Sequence, residues 1–291
     1  MEGKERFWFG EITAGLGLDN TFLAHPKLFY YSPKLSVNVI TDFNNIGELP
    51  FTPRDYFNFT GGMSNFSRGG GTQFNATNNS LGISLLQNNR AKSIDTKFGA
   101  TNFNYAVNEK LDFSGFAIYS YTGTQLEVLT NRQFIVSDQR EQSTTNTDQK
   151  ATLGLAKFSS RYKPSALLQW DYDVLLKDSS QEEERRLNSQ ALVSEDILEN
   201  KTQDPITVTQ NTGLYYTLSD QHIFAFQAQH MYQKEDPFYN AVRTQEPFNG
   251  VLPLEGNGLG FNINQSQLVT TNKLDARLDY YWVTGTKSNL N

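Results

Sequence analysis

Residues 267–283 read QLVTTNKLDARLDYYWV, and this stretch decides the fold. Leu278 and Trp282 fall on its even positions, whereas Asp275 and Arg277 fall on its odd positions. Successive side chains of a β-strand point to opposite faces, so this order puts apolar groups on one face and charges on the other. A helix would spread the same residues around its axis. The stretch therefore predicts a strand that lies between an apolar and a polar environment.

The same alternation recurs along the chain. It is clear at 7–18 and at 167–176, where Trp170 alternates with Asp171 and Asp173. Weaker versions occupy 22–31, 34–43, 94–107, 111–130, 151–162, 205–218 and 222–233. We count about ten strands, several of which reach or exceed the roughly ten residues that a tilted strand needs to cross a bilayer.

The connections between these strands alternate in length. Short connections lie at 32–34, 108–110, 163–165 and 219–221, and long ones at 44–92, 131–149, 178–203 and 235–265. Short periplasmic turns opposite long extracellular loops are typical of outer-membrane barrels. The connection at Asp19 and Asn20 is short but would lie on the long-loop side. We therefore predict that residues 1–291 form one all-β domain, an antiparallel transmembrane β-barrel segment.

Composition agrees with strands that have one wet and one apolar face. Apolar residues make up 37% of the chain and charged residues 19%, and the net charge of −6 argues against nucleic-acid binding. The sequence contains no cysteine, which excludes disulfides and thiolate metal sites. No apolar run is long enough for a membrane helix. The opening MEGKERFWFG has no signal-peptide pattern, so we expect the natural start to lie outside this sequence.

The alternation assigns side chains to two environments. The apolar set is predicted to face lipid: Trp8, Leu16, Leu168, Trp170, Leu274, Leu278 and Trp282. The charged set is predicted to face a wet or plugged lumen: Asp171, Asp173, Lys273, Asp275, Arg277 and Asp279. Asp171 and Asp173 alone could suggest acid–base or calcium chemistry, but opposite an apolar face they are better interpreted as a polar lining.

Catalysis, metal binding and a cofactor are not expected. No nucleophile–base pair is identifiable in the sequence. His222 and His230 share one parity but are eight residues apart, about 26 Å at strand rise, which is too far for one metal ion. The glycines after Arg68 lack the Gly-Lys-Ser/Thr of a phosphate-binding loop.

The long connection at 44–90 is the best candidate for ligand contact, since long connections without structure of their own are often functional. Its candidate ligand-binding residues are Arg54, Asp55, Tyr56, Phe57, Phe59 and Arg68. Such a surface could stack on a glycan or an aromatic chelate, or fold inward against whatever fills the barrel.

Three segments carry a family resemblance: EGKERFWFGEITAGLGLDN at 2–20, KLFYYSPKLSVNVITDFNNIGELPFTPRDYFNFTGG at 27–62, and LQNNRAKSIDTKFGATNFNYAVNEKLDFSGFAIYS at 86–120. They resemble the N-terminal part of the barrel of TonB-dependent outer-membrane receptors of the Bacteroidetes type, without the plug. In that family a plug precedes a 22-stranded barrel. The resemblance is strongest over residues 2–180.

The resemblance implies a location in the outer membrane and the import of a scarce or bulky ligand, such as a siderophore, a glycan or a peptide. It also implies three partners, namely outer-membrane lipid, a plug domain and the TonB system. No motif selects the ligand. One alternative is a small stand-alone barrel that acts as a passive pore or adhesin. A second is a soluble all-β binding protein, which would have to bury its apolar faces against a second sheet.

Overall fold

The computed structural model describes residues 6–48, 91–135, 139–191, 193–251, 260–285 and 288–290. These residues form fourteen strands of one sheet and a short 3-10 helix, Pro247–Gly250. The strands are β1 Phe7–Leu16, β2 Phe22–Tyr31, β3 Leu35–Asn44, β4 Ala91–Asn108, β5 Leu111–Phe134, β6 Gln139–Ser165, β7 Leu168–Gln190, β8 Glu195–Gln203, β9 Ile206–Ser219, β10 His222–Glu235, β11 Phe238–Arg243, β12 Phe261–Ser266, β13 Val269–Gly285 and β14 Ser288–Leu290.

Eleven strands follow one another in the order β1-β2-β3-β4-β5-β6-β7-β9-β10-β13-β14, and each is antiparallel to the next. The predicted all-β, antiparallel barrel segment is confirmed, and all ten predicted strand segments correspond to strands on this path. The sheet is open, because no pairing joins β1 to β14 among the described residues.

Short turns at one end of the sheet are fixed by local hydrogen bonds. The Ser32 hydroxyl accepts a hydrogen bond from the Leu35 amide at 2.9 Å, and the Asn108 side chain accepts one from the Lys110 amide at 2.8 Å. At the opposite end, Asp19 and Asn20 connect β1 to β2 with φ angles of 57° and 60°. Asp and Asn tolerate this left-handed conformation better than most residues. The β1–β2 turn therefore lies on the side of the long connections, as predicted.

The predicted loops at 131–149, 178–203 and 235–265 contain strands. Here β5, β6 and β7, which are 24, 27 and 23 residues long, continue past the rest of the sheet. In the part of the sheet beyond Gly123, β5 pairs with β6 and β6 pairs with β7. There β8 pairs with β7, β11 pairs with β8, and β12 pairs with β11. We call this region the distal extension. Both of its faces are rich in polar residues, so the apolar alternation that reveals a strand is lost there.

An apolar patch interrupts the otherwise polar face of β4, β5 and β6. Its members are Phe98, Ala100, Phe116, Ile118, Leu153 and Leu155, all buried and packed together. Leu155 lies opposite Lys177 of β7, so the patch shares a face with Asp171 and Asp173. The core of the described residues therefore lies on the side that sequence alternation assigns to polar groups.

Candidate functional site

The strand registers sort the side chains into two continuous faces, because residues directly opposite each other in neighbouring strands point to the same side of the sheet. On the first face, Leu278 lies opposite Phe226, and Trp170 lies opposite Leu214. We call it the apolar face. All seven residues predicted to face lipid lie on it: Trp8, Leu16, Leu168, Trp170, Leu274, Leu278 and Trp282.

Aromatic side chains mark both ends of the apolar face. Those near the short turns are Trp8, Tyr30, Tyr105, Tyr162, Trp170, Tyr216, Tyr280 and Trp282, and those at the distal end include Tyr119 and Tyr121. On β5, the part of the apolar face between these aromatic ends runs from Leu111 to Tyr121. It measures about 34 Å along the strand, or about 24 Å perpendicular to a membrane if the strand is tilted by roughly 45°. At its distal limit, Lys97 lies opposite Tyr121 on the same face, and Glu182 lies just beyond it. The apolar face is thus a band of limited height.

The opposite, polar face encloses a cavity of about 630 Å³. Strands from β5 to β13 line it, although these two strands are five positions apart on the path. In a flat sheet they would be about 24 Å apart. The sheet therefore curves with its polar face on the inside. The charged residues of the lining are Asp112, Lys157, Arg161, Asp171, Asp173, Asp275 and Arg277.

One wall of the cavity is an ordered polar network on β6 and β7. Arg161 Nε is 3.3 Å from Asp171 Oδ1, and Gln169 donates a hydrogen bond of 2.6 Å to the other oxygen of Asp171. Lys157 Nζ is 3.7 Å from Asp173 Oδ1, and the same oxygen accepts a hydrogen bond from the Ser159 hydroxyl. These half-buried pairs hold both carboxylates in place.

The other wall is formed by β13 and is more exposed. Asp275 pairs with Lys273 at 2.8 Å, and Arg277 pairs with Asp279 at 2.8 Å. All six residues predicted to line a lumen therefore lie on the polar face. The structure brings Asp171, Asp173, Asp275 and Arg277 together around one cavity, whereas Lys273 and Asp279 lie beside it.

The cavity can hydrogen-bond to polar solutes without favouring one sign of charge. Four carboxylates and three cations line it, together with amides and the Tyr215 hydroxyl, to which Gln227 donates at 2.9 Å. The described residues contain no group of three or more His, Asp or Glu side chains that could hold a metal ion.

A second polar cluster, which the sequence did not reveal, joins the distal ends of β2 and β3 on the polar face. His25 pairs with Asp42, a residue with no exposed surface. Asn44 donates a hydrogen bond of 2.6 Å to Asp42 and one of 3.0 Å to the Glu48 carbonyl. His25 and Asp42 are 17 residues apart in sequence, and only the register of β2 against β3 brings them together.

The distal extension carries a charge network on the same face as the cavity. Lys201 Nζ is 2.7 Å from Glu183, Arg185 Nη1 is 2.7 Å from Glu199, and the Tyr239 hydroxyl donates a hydrogen bond of 2.7 Å to Glu199. The run at 182–186, which the sequence places in a loop, belongs to β7. The network therefore links β7 to β8 and β8 to β11.

The network shifts the pKa values of Glu183, Glu199 and Tyr239. Burial alone would raise the pKa of Glu183, but hydrogen bonds from Lys201 and Gln149 and the nearby cations outweigh it and lower the pKa. For Glu199, hydrogen bonds from Tyr239 and Arg185 likewise outweigh burial and lower the pKa. Burial and the bond to Glu199 raise the pKa of Tyr239 to about 12. Both glutamates are thus held in their charged form.

The predicted ligand-binding residues of the 44–90 connection lie outside the described residues: Arg54, Asp55, Tyr56, Phe57, Phe59 and Arg68. Within the described ranges, no helix is long and apolar enough to span a membrane.

Comparison with known proteins finds structural neighbours only. No family model and no curated protein matches the sequence. The ferric yersiniabactin uptake receptor FyuA from Yersinia pestis aligns over 96% of this chain at 11% identity with a TM-score of 0.28. The toluene transporter TodX of P. putida aligns over 94% of this chain and 87% of its own, at 8% identity with a TM-score of 0.23. The chain spans 45% of the length of FyuA.

Proposed function

We propose that this chain is part of the wall of a TonB-dependent outer-membrane receptor that imports a scarce or bulky ligand, and that it has no catalytic activity. The apolar face contacts lipid, and the polar face lines the path of the ligand or contacts a plug. The ligand class is a siderophore, a glycan or a peptide.

One observation carries the proposal, namely the limited height of the apolar face. Its height of about 24 Å between the aromatic ends is close to the roughly 25 Å apolar band of outer-membrane barrels. In the described strands, charged side chains appear on this face only from its distal end onward: Asp178 and Lys234 are level with Tyr119, Lys97 is level with Tyr121, and Glu182 lies beyond them. A soluble sandwich would instead cover such a face with a second sheet.

The polar face supports transport of a polar solute. Its cavity offers both signs of charge, and the fixed pairs Arg161–Asp171 and Lys157–Asp173 keep one wall rigid. A plug or a hydrophilic ligand could exchange hydrogen bonds with this wall, because its carboxylates and cations are already paired with one another and the remaining polar groups can bond to the incoming surface.

Membrane fractionation with a heat-modifiable mobility test separates the proposal from a soluble binding protein. We expect the protein in the outer-membrane fraction, with a change in gel mobility between unheated and boiled samples. Recovery from the soluble fraction without detergent, with no change on heating, would contradict the proposal.

Liposome swelling distinguishes a receptor from a passive pore. Protein purified from its native outer membrane is reconstituted and diluted into arabinose, with a general porin as the positive control. A plugged receptor gives little swelling, because its lumen is closed to small solutes. Swelling as fast as that of the porin would instead support the small passive barrel.

A further inference from the structure

The distal extension has a second cavity, on the face opposite to its charge network. The volume of this cavity is about 390 Å³, within the range of roughly 300–1,000 Å³ that is usual for small-molecule sites. Strands β6, β7, β8 and β11 line it. Arg186 of the lining is an even number of residues from Trp170 on β7, so the cavity lies on the continuation of the apolar face. We call it the flank site.

Two neighbouring rows of side chains form the flank site. In the first row, Val242 lies opposite Leu198, Leu198 opposite Arg186, and Arg186 opposite Asn146. Directly opposed side chains have Cβ atoms about 4.5–5.5 Å apart, so Val242 and Leu198 form a continuous apolar floor. Both are half-buried, whereas Arg186 and Asn146 are exposed.

The second row is polar throughout. Asp196 lies opposite Asn188, and Asn188 lies opposite Thr144. Thr244 extends the row, because its amide donates a hydrogen bond of 3.1 Å to the Asp196 carbonyl. The Asn188 side chain donates a hydrogen bond of 2.5 Å to Asp196 Oδ1 and so orients the carboxylate. The two rows are about 7 Å apart and cross four strands over about 14 Å, so the flank site is elongated across the sheet.

Several polar groups of the flank site keep hydrogen-bonding capacity for a ligand. Arg186 has five N–H donors, and its pairing with Glu184 at 2.5 Å involves one nitrogen, Nη2. The Thr244 hydroxyl accepts a hydrogen bond of 3.0 Å from the Asp196 amide and can donate its own proton elsewhere. Within the described ranges, Asp196 Oδ2 and the Asn146 side chain form no hydrogen bond with another residue.

This combination of groups selects a class of ligand. Arg186 and Asp196 offset each other in charge, and Arg243, which also borders the site, lies on the other face and pairs with Glu195. The described lining contains no aromatic side chain on which a flat ligand could stack. Hydroxyl groups both donate and accept hydrogen bonds, which suits the mixture of guanidinium, carboxylate, amide and hydroxyl around the apolar floor. A neutral sugar ring has such hydroxyls together with apolar C–H groups.

We propose that the flank site binds a neutral saccharide. One or two sugar units lie across Leu198 and Val242, Asp196 accepts a hydrogen bond from one sugar hydroxyl, and Arg186 donates to another. The site is on the opposite face of the sheet from the cavity that contains Asp171, so it is separate from the proposed path of an imported ligand. A free sugar and a sugar unit of a cell-surface polysaccharide share the chemistry that the site recognises.

Saturation-transfer NMR on the full chain, in a detergent without a sugar headgroup, tests the proposal. The probes are maltose, cellobiose, lactose and mannobiose, with trialanine and phosphate as comparisons. We expect at least one disaccharide to bind, and Arg186→Ala and Asp196→Ala to weaken its binding by about tenfold or more, since each removes hydrogen bonds to a charged group. Lys150→Ala is the matched control, because Lys150 is exposed on the same face but is not part of the lining, and it should keep the affinity of the unchanged chain.

A second variant separates loss of the site from loss of the fold. Leu198→Trp fills the apolar floor without removing a polar group, and it should abolish binding while amide exchange of β8 and β11 stays slow. A diazirine derivative of the bound disaccharide should attach to Leu198, Val242 or their neighbours on the same face.

The proposal is overturned if no disaccharide binds, if trialanine or phosphate displaces the bound sugar, or if the Arg186 and Asp196 variants bind as well as the unchanged chain. Attachment of the diazirine probe to Tyr215 or Gln229 would also overturn it, because both line the cavity of the polar face. Displacement of the disaccharide by polysaccharide released from the same cells identifies a polysaccharide unit as the ligand, and no displacement identifies a free sugar. Binding is measured without a membrane, so its failure is distinguishable from failure of the proposed transport function.

Discussion

Arg277 and Leu278 are neighbours in sequence but lie on opposite faces of β13. Leu278 is 69% exposed and the Arg277 side chain 67%. Exposure alone therefore does not distinguish their environments. Their partners do, because Leu278 lies opposite Phe226 whereas Arg277 lies opposite Gln227.

This pair gives a test of the two faces. We expect Leu278→Arg to destabilise the membrane-inserted protein by about 2–4 kcal/mol if the position is near the middle of the bilayer, while Arg277→Leu has a smaller effect. Urea unfolding in lipid vesicles, followed by gel mobility, measures both variants. Equal tolerance of the two changes would contradict the assignment of the faces.

Two glycines on the apolar face form a second matched pair. A Cβ at Gly115 would lie 2.5 Å from the Lys157 carbonyl oxygen and 2.8 Å from the Phe103 ring, whereas a Cβ at Gly99 would meet only a Thr41 methyl at 4.0 Å. We expect Gly115→Ala to lower the free energy of unfolding by about 1–3 kcal/mol, because backbone must shift. Gly99→Ala should be neutral or stabilising by about 0.4–1 kcal/mol in the same assay. A loss of equal size in both would show that strand glycine itself, and not the close approach at Gly115, is responsible.

At the scale of elements, the distal extension differs from the rest of the sheet in what stabilises it. The extension lacks a broad apolar face, and ion pairs and hydrogen bonds such as Lys201–Glu183 and Arg185–Glu199 connect its strands. Exposed ion pairs contribute little one by one, so such an element depends on its whole network.

The lowered pKa values of Glu183 and Glu199 predict acid sensitivity of this element. A carboxyl group whose pKa is lower in the folded state than in the unfolded state stabilises the fold at pH values above its ordinary pKa, which is near 4.5. This stabilisation is lost as the pH falls through the pKa of the folded state. We expect amide exchange of β8 and β11, corrected for intrinsic rates, to accelerate below about pH 4 while β9 and β10 stay protected.

The variant Glu199→Gln provides the control, since glutamine keeps the shape but does not titrate. It should weaken the extension at pH 7 and reduce the difference between pH 7 and pH 3.5. An unchanged pH dependence in this variant would assign the acid sensitivity to other groups.

For the whole molecule, the short turns at one end and the long connections at the other predict an orientation in the membrane. A cysteine at Asn131, in the distal extension, should react with an impermeant maleimide in intact cells, because the proposed function places this end outside the cell. A cysteine at Asp220, in the β9–β10 turn, should react only after the outer membrane is permeabilised. Both positions are exposed, so reactivity reports the side of the membrane. Labelling of Asp220→Cys in intact cells would show that the orientation is the opposite of the predicted one.

Much of this architecture was predictable because a strand at a boundary repeats its pattern every two residues. Leu274 and Asp275 show the pattern without any knowledge of their partners. Leu153 and Phe158 do not, since apolar residues occur at both parities in that part of β6 and the buried patch depends on packing across β4 and β5. The cavity could not be predicted from the sequence either, because Asp171 and Asp275 line it together only through the registers of the intervening strands.

The rim of the sheet has very different heights on its two sides. Leu23, next to the β1–β2 turn, is level through the registers with Ala151 of β6, and β6 continues from there to Gln139, about 40 Å further along the strand. If the chain forms part of an outer-membrane barrel as proposed, the mouth is therefore slanted. A small solute would then reach the lumen most directly over the low side near Asp19, whereas antibodies or phage that approach the cell would meet the tall side formed by β5, β6 and β7 first.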